Sequence, residues 1–371
     1  MKAVVMTLAL SNNYGAALQS YAFVKALEEA GASCEIYNYL DKRRFTYHFS
    51  MKSKIRYYTW KSIRWCLTLG KKERAFAAFR KEYLPLTKQK YKKSCELKKN
   101  PGDYDVYIAG SDQIWNPDIF TFDTSYFLDF VPSEKRKISY ASSFGKGGFP
   151  EDKKEACGEL LKKFDSISVR EKSGVEIVKE ISQQTAEWVL DPTLLLEAHQ
   201  WDELLKKRKI TFKGIFCYIM PGDKKVEAEI EAIAKRLQKQ TGLPIFRLGL
   251  KEYQIFKYGK KGCRITAGPL EFLSYLRGAE YVVTNSFHGT AFSLIFKKKF
   301  YVPINYTLAT DRALHERITS LLTLIGANEA MIPVGEEQEL KMFDMDRVQE
   351  ALSRERERSL AYLKKAVNPK C

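Results

Sequence analysis

The sequence predicts an α/β fold made of two doubly wound domains. Short β-branched and aromatic runs alternate with amphipathic stretches, the rhythm of a parallel sheet with crossover helices. The rhythm runs twice. It is interrupted by one basic, aromatic stretch and restarts after Leu190-Asp191-Pro192-Thr193, where Pro192 disfavours helix in the residue before it. At 371 residues and 45% hydrophobic content the chain exceeds one ordinary domain and can fill two cores. The expected division is 1–193 with a helical insertion at about 41–100, then 194–343, then a closing helix over 344–371.

The first domain opens on an apolar strand over residues 2–8. That run superficially resembles a signal peptide, but it is short and leads into Asn12-Asn13-Tyr14-Gly15 without a small-residue cleavage site. A helix over 16–30 follows, with Ala17, Leu18, Tyr21, Val24, Ala26 and Leu27 on its core face and Gly31 as its stop. Cys34 to Tyr39 completes a βαβ unit. Gly15 has no glycine partners at dinucleotide-fingerprint spacing, which excludes an NAD site. No run approaches the ~18 apolar residues of a membrane span. The seven cysteines contain no CxxC pair, so neither a zinc site nor a disulfide framework is expected. The expected compartment is the cytoplasm.

The net charge of +17 is concentrated in one place: residues 41–100 hold 19 Lys and Arg against four acids, a net of +15. Arg43, Arg44, Lys52, Lys54, Arg56, Lys61 and Arg64 are interleaved with Tyr57, Tyr58, Trp60 and Trp65. A solvated helical excursion with some buried aromatics accounts for such a stretch. So does peripheral contact of residues 42–65 with the inner face of the cell membrane, because aromatics flanked by cations favour that interface. Nucleic acid is not an expected partner, since no RNA-binding signature accompanies the charge.

Three further strands end in polar turns. Residues 104–109 end at Gly110-Ser111-Asp112-Gln113, residues 137–141 at Ser142-Ser143-Phe144-Gly145, and residues 165–169 at Arg170-Glu171. Ligands of open α/β sheets bind outside such carboxyl ends, so the three turns are expected on one rim. In the second domain a strand over 214–220, a helix over 224–240, a strand over 244–248 and a helix over 269–277 lead to residues 279–303. There Tyr281-Val282-Val283 reads as a buried strand, and 284–290 as a polar turn with His288 at its middle. Ala291 to Phe296 reads as a packed helix and Phe300-Tyr301-Val302 as the next strand. Such a helix aims N–H groups at any anion in the turn. Asp344 to Ala366 carries mixed charges at helical spacing and reads as a surface helix.

The run Thr284-Asn285-Ser286-Phe287-His288-Gly289-Thr290 resembles the signature of the polysaccharide pyruvyl transferase family. Further landmarks of that family stand in order: Asn13-Tyr14-Gly15-Ala16, Gly110-Ser111-Asp112-Gln113-Ile114-Trp115-Asn116, Ala141-Ser142-Ser143-Phe144-Gly145, Ser168-Val169-Arg170-Glu171 and Leu190-Asp191-Pro192-Thr193. The resemblance implies a GT-B-like fold, two Rossmann-like domains facing across a cleft. It also implies transfer of pyruvate from phosphoenolpyruvate to a sugar diol of a surface polysaccharide or its lipid-linked precursor, giving a cyclic ketal and phosphate. Phosphoenolpyruvate is then a donor substrate, the partner is a glycan or lipid-linked oligosaccharide, and no cofactor is needed. A GT-B sugar-nucleotide glycosyltransferase of polysaccharide biosynthesis is the alternative.

Ketal formation needs cations or N–H groups for the donor's anionic groups, a proton for its enol carbon and bases for the attacking hydroxyls. His288 is the candidate for proton transfer, Arg170 for the donor's carboxylate or phosphate, and Asp112 for orienting or deprotonating the sugar hydroxyl. Each has a plainer reading: a structural histidine, an ion pair of Arg170 with Glu171 or another acid, and helix capping by Asp112. Asn13, Gly15, Ser142, Ser286 and Gly289 are candidate substrate contacts, although Asn and Gly are also ordinary turn residues. Some family members carry an arginine just before the histidine. Ser286 and Phe287 stand there in this chain, so that work falls to the N–H groups of 288–290 or to a lysine elsewhere. No acidic cluster has metal spacing, and no metal is expected.

Overall fold

Each α/β rhythm of the sequence resolves into a parallel sheet. The computed structural model describes residues 1–40, 59, 62, 70–120, 122–145, 147–206, 208, 211–248, 263–264, 266–306, 309–336, 339–341 and 343–368. Residues 42–65, to which membrane contact was assigned, lie outside the described residues except for 59 and 62. Tertiary contacts divide the chain into two units, one of residues 1–69, 77–195 and 355–371, the other of 70–76 and 196–354.

In the first unit β1 (Lys2–Met6), β2 (Ser33–Tyr39), β3 (Leu86–Tyr91), β4 (Val106–Ala109) and β5 (Arg136–Ser139) lie in the order β3-β2-β1-β4-β5, every pair parallel. A parallel sheet is covered on both faces, which is why Val4, Val5, Met6 and all four residues of β4 are buried. β6 (Ser168–Val169) and β7 (Glu187–Trp188) pair with each other and join the sheet through the bridges Ile138↔Ser166 and Ser142↔Val169. Aromatic packing fills the core, with Trp115 stacked on Phe127 at a centroid distance of 5.3 Å. Residues 86–91 belong to this sheet rather than to a helical insertion. As edge strand β3 they bury Thr87 and Tyr91 and expose Lys88, Gln89 and Lys90. Lysines on an edge oppose pairing with another chain, so part of the local charge excess protects the sheet.

In the second unit β8 (Gly214–Tyr218), β9 (Ile245–Leu248), β10 (Cys263–Arg264), β11 (Ala279–Thr284), β12 (Lys299–Ile304) and β13 (Met331–Pro333) are ordered β10-β9-β8-β11-β12-β13, again all parallel. The Lys224–Thr241 helix buries Val226, Ile230, Ile233, Ala234 and Leu237, a helical stripe against the sheet. Trp201 meets Phe292 edge to face at 4.9 Å.

The last helix, Met345–Val367, is more than the surface helix its charges suggest. Val348, Leu352, Ser359, Leu363 and Val367 are all buried along one face. Among the described residues no helix is long and apolar enough to cross a membrane. Strand order reverses between β1 and β4 in the first sheet and between β8 and β11 in the second. Those are the positions where open α/β sheets bind ligands.

Candidate active-site turns

At the first unit's reversal, Gly110 lets two strand ends touch. A Cβ there would lie 2.7 Å from Val5 Cγ1, so β4 can end against β1 only without a side chain. The Thr7 hydroxyl donates to the Ser111 carbonyl at 2.9 Å and accepts from the Gln19 amide at 2.9 Å, which fixes the turn from below. Asp112 follows in the left-handed region at φ 78°, and Ala141 on the neighbouring strand end does the same at φ 50°. A Cβ in that region costs about 1–2 kcal/mol, less for Asp or Asn, so strain is stored on two adjacent strand ends. Asp112 and Ser142 are joined by a parallel bridge.

The Asp112 carboxylate accepts the Gln113 N–H at 2.9 Å and lies 3.6 Å from Arg170 Nη2. It caps no helix. The next one, Pro117–Phe120, starts five residues later, and there the Asn116 side chain accepts the Asp118 N–H. Arg170 Nη1 donates to Asp191 Oδ2 at 2.7 Å, with the two side chains 1% and 0% exposed. Asp191 also accepts the Ser111 hydroxyl at 3.0 Å, the Thr193 N–H at 3.0 Å and the Thr193 hydroxyl at 2.7 Å. Burial opposes the charge on Arg170, but Asp191, Asp112 and Glu171 outweigh it and hold the guanidinium cationic. The acid that Arg170 bonds at 2.7 Å is therefore Asp191, with Glu171 adding to the negative field around it. Glu171 instead accepts the Phe144 and Gly145 N–H groups at 2.8 and 3.3 Å and so holds the turn after Ser142. The Ser142 hydroxyl donates to the Ala109 and Gly110 carbonyls at 3.1 and 3.0 Å. Asn13 is exposed and accepts the Ala16 N–H at 3.1 Å as the cap of the Tyr14–Glu29 helix, in which Gly15 is the second residue.

At the second unit's reversal, Thr284 and Asn285 tie β11 to β8. The Thr284 hydroxyl donates to the Tyr218 carbonyl at 2.7 Å and accepts the Ser286 N–H at 3.0 Å. The Asn285 amide accepts the Met220 N–H at 2.7 Å and donates to its carbonyl at 2.9 Å, as a paired strand would. Ser286 Oγ accepts the Gly289 N–H at 3.4 Å and caps the helix Phe287–Ile295. That cap starts the helix earlier than the polar run suggests: His288 sits in its first turn, not in the middle of a loop. Gly289 is required, because a Cβ would lie 2.6 Å from Thr284 Oγ1. His288 is 7% exposed, its ring edge-on to Phe287 at 5.2 Å. The amino end of a helix favours negative charge beside it.

Beside this turn, Asp223 caps the Lys224–Thr241 helix and accepts the Asn305 amide at 2.7 Å from the end of β12. Burial raises its carboxyl, but the Asn305 amide, the Val226 and Lys225 N–H groups and His315 together hold it below the ordinary value.

The structure therefore joins Asp112, Ser142 and Arg170 in one unit and Ser286, His288 and Gly289 in the other. Asp191 and Glu171, whose buried carboxylates orient the first set, were not chosen as site residues from the sequence. The available signal was a lone charge among apolar neighbours in Val189-Leu190-Asp191-Pro192.

A family model described as polysaccharide pyruvyl transferase matches residues 13–307. Among solved structures, the UDP-GlcNAc 2-epimerase of Methanocaldococcus jannaschii in complex with UDP-GlcNAc and UDP is 14% identical, with a TM-score of 0.51 over 95% of this chain and 92% of that one. A putative UDP-N-acetylglucosamine 2-epimerase from Listeria monocytogenes is 11% identical, with a TM-score of 0.52 over 99% and 97%. At such identities the likeness is one of fold, GT-B-like and made of two Rossmann-like units. No curated protein matches the chain.

Proposed function

Since the chain belongs to the polysaccharide pyruvyl transferase family, we propose that it moves pyruvate from phosphoenolpyruvate onto a sugar diol of a surface polysaccharide or its lipid-linked precursor. The observation that carries this reading is His288, a titratable side chain in the first turn of a capped helix at the carboxyl end of a central strand. A helix amino end suits the donor's anionic groups, and an imidazole there suits proton transfer.

In the reaction, the donor's methylene carbon gains a proton and becomes a methyl group, leaving C2 with oxocarbenium character. One sugar hydroxyl adds to C2 and loses its proton. The C2–O bond to phosphate breaks as the second hydroxyl adds, and the second proton leaves with the phosphate. His288 is assigned the proton delivered to the methylene carbon. Asp112 is assigned the hydroxyl, as base or orienting acceptor. Arg170 is assigned a positioning role, since it is closed against Asp191 and lies 3.6 Å from Asp112. Its guanidinium, 3.6 Å away, orients the Asp112 carboxylate. The positive amino end of the Phe287–Ile295 helix is assigned the donor's phosphate, in place of the arginine that some members carry before the histidine, although Ser286 holds the Gly289 and Thr290 N–H groups.

The test is acceptor-dependent release of phosphate from phosphoenolpyruvate with a panel of glycosides, free and lipid-linked. Wild type should release phosphate, and His288→Ala should lose about 10²–10⁴ of the rate, the usual contribution of one general acid. Phosphoenolpyruvate should raise the melting temperature, and UDP-sugars should not. The reverse pattern of binding, with no release from any acceptor, would replace this reading with sugar-nucleotide transfer.

A further inference from the structure

At the end of the first unit's strands opposite Asp112 and Arg170 there is a cavity of about 330 Å³. It opens at the amino ends of β5, β6 and β7 and is walled on one side by the Met345–Val367 helix. Phe164, Ile167 and Ala186 form an apolar side. Arg136, the first residue of β5, and Lys365 bring two cations to it. Arg136 Nε donates to the Ala366 carbonyl at 2.9 Å, which fixes the guanidinium plane, while its two terminal nitrogens make no hydrogen bond to a described residue. Lys365 has no ion pair among the described residues and is exposed.

Each acid of the wall has one oxygen in contact with another group. Asp165 Oδ2 accepts the Lys137 N–H at 2.8 Å, and Glu187 Oε2 lies 3.7 Å from Arg358 Nη1. The Ser166 hydroxyl donates to Tyr362 Oη at 2.9 Å, since Tyr362 donates onward to the Ser139 carbonyl. A planar guanidinium with uncommitted donors, an ammonium and an apolar wall suit a small molecule with an anionic head and a compact body.

We propose that this cavity is a second ligand site, taking a small anion that carries a carboxylate or phosphate. It is distinct from the candidate active-site turn because it uses the amino ends of strands whose carboxyl ends lead to Ser142 and Arg170. It is also mechanically linked to that turn. The Tyr362 hydroxyl donates to the Ser139 carbonyl at 3.4 Å, and Ser359, three residues earlier on the helix, accepts the Leu190 N–H beside Asp191 at 3.0 Å. A ligand seated against Tyr362 and Lys365 therefore presses on the helix that steadies the Arg170 partner.

The test is equilibrium dialysis of the full chain with radiolabelled inorganic phosphate, glucose 6-phosphate and benzoate, each at millimolar concentration. Saturable binding of at least one probe is expected, phosphate compounds and benzoate separating the two head groups. Affinity should fall about tenfold, the effect of one lost charge-assisted contact, in Arg136→Gln and in the exposed variant Lys365→Gln. It should also fall in Ala186→Trp, which fills the cavity, and persist in His288→Ala. Wild type that binds no probe, or binding that ignores all three cavity substitutions, or binding lost with His288, would overturn the proposal. The measurement needs no transferase activity, so it stands or falls separately from the proposed reaction.

Discussion

Arg170 and Asp191 form a 2.7 Å ion pair that is closed to solvent on both sides. A pair like this contributes little over an apolar alternative, but breaking it strands a buried charge. Asp191→Ala should therefore cost about 3–5 kcal/mol of unfolding free energy, measured by urea denaturation. A loss under about 1 kcal/mol would mean that another group neutralises Arg170.

Asp112 combines backbone strain with a carboxylate proposed for the sugar hydroxyl, and two substitutions separate them. Asparagine occupies the left-handed region at less cost than alanine, so Asp112→Ala should be about 1 kcal/mol less stable than Asp112→Asn. Both should lose acceptor-dependent phosphate release. Full activity in Asp112→Asn would leave the residue a purely conformational role.

Gly289→Ala places a methyl group 2.6 Å from Thr284 Oγ1. Thr284 holds both the Tyr218 carbonyl and the Ser286 N–H, so the helix carrying His288 must shift. A destabilisation of about 1–3 kcal/mol, as for other overpacked sites, is expected, with a loss of turnover. Calorimetry that finds an unchanged melting temperature would show that the turn gives way freely.

Asp223 gives a pH dependence. Its folded carboxyl titrates below the ordinary value of 3.8, so the stability it contributes is fully present above that value. That contribution is lost as the pH falls through the lower folded value. Between wild type and Asp223→Asn, the gap in unfolding free energy should thus be constant near neutrality and narrow at acid pH. A gap that widens on acidification would reverse the assignment.

Asn13 tests whether a landmark residue is a cap or a ligand. Asn13→Ser keeps an acceptor for the Ala16 N–H and should be nearly neutral in stability, whereas Asn13→Ala should cost about 1 kcal/mol. If both abolish phosphate release while the serine variant remains stable, Asn13 contacts substrate.

The central parallel strands and the polar turns at their ends are readable from β-branched runs, because burial on both faces leaves little room for other side chains, whereas the short strands β7, β10 and β13 are not. The start of the His288 helix was not readable, since Ser286 and Gly289 look like loop residues until the cap bond joins them. β3 was hidden by its own lysines, which serve an edge and so mask the strand pattern. Asp191 reads only as part of a boundary marked by Pro192, because no spacing in the sequence links residues 170 and 191. Adjacency offers Glu171, or another acid, to Arg170, but the Glu171 carboxylate holds the Phe144 and Gly145 N–H groups.

The last helix has a consequence for biogenesis. Its first ten residues count with the second unit, and from Glu355 onward it returns to the first, whose core includes Leu363 and Val367. The first unit is therefore incomplete when the chain has been made as far as Leu195, and it must wait for residues 355–371 to be synthesised. A domain that usually folds first on the ribosome here finishes last. Nascent chains stalled before residue 355 should expose the β5–β7 end of that sheet to chaperones.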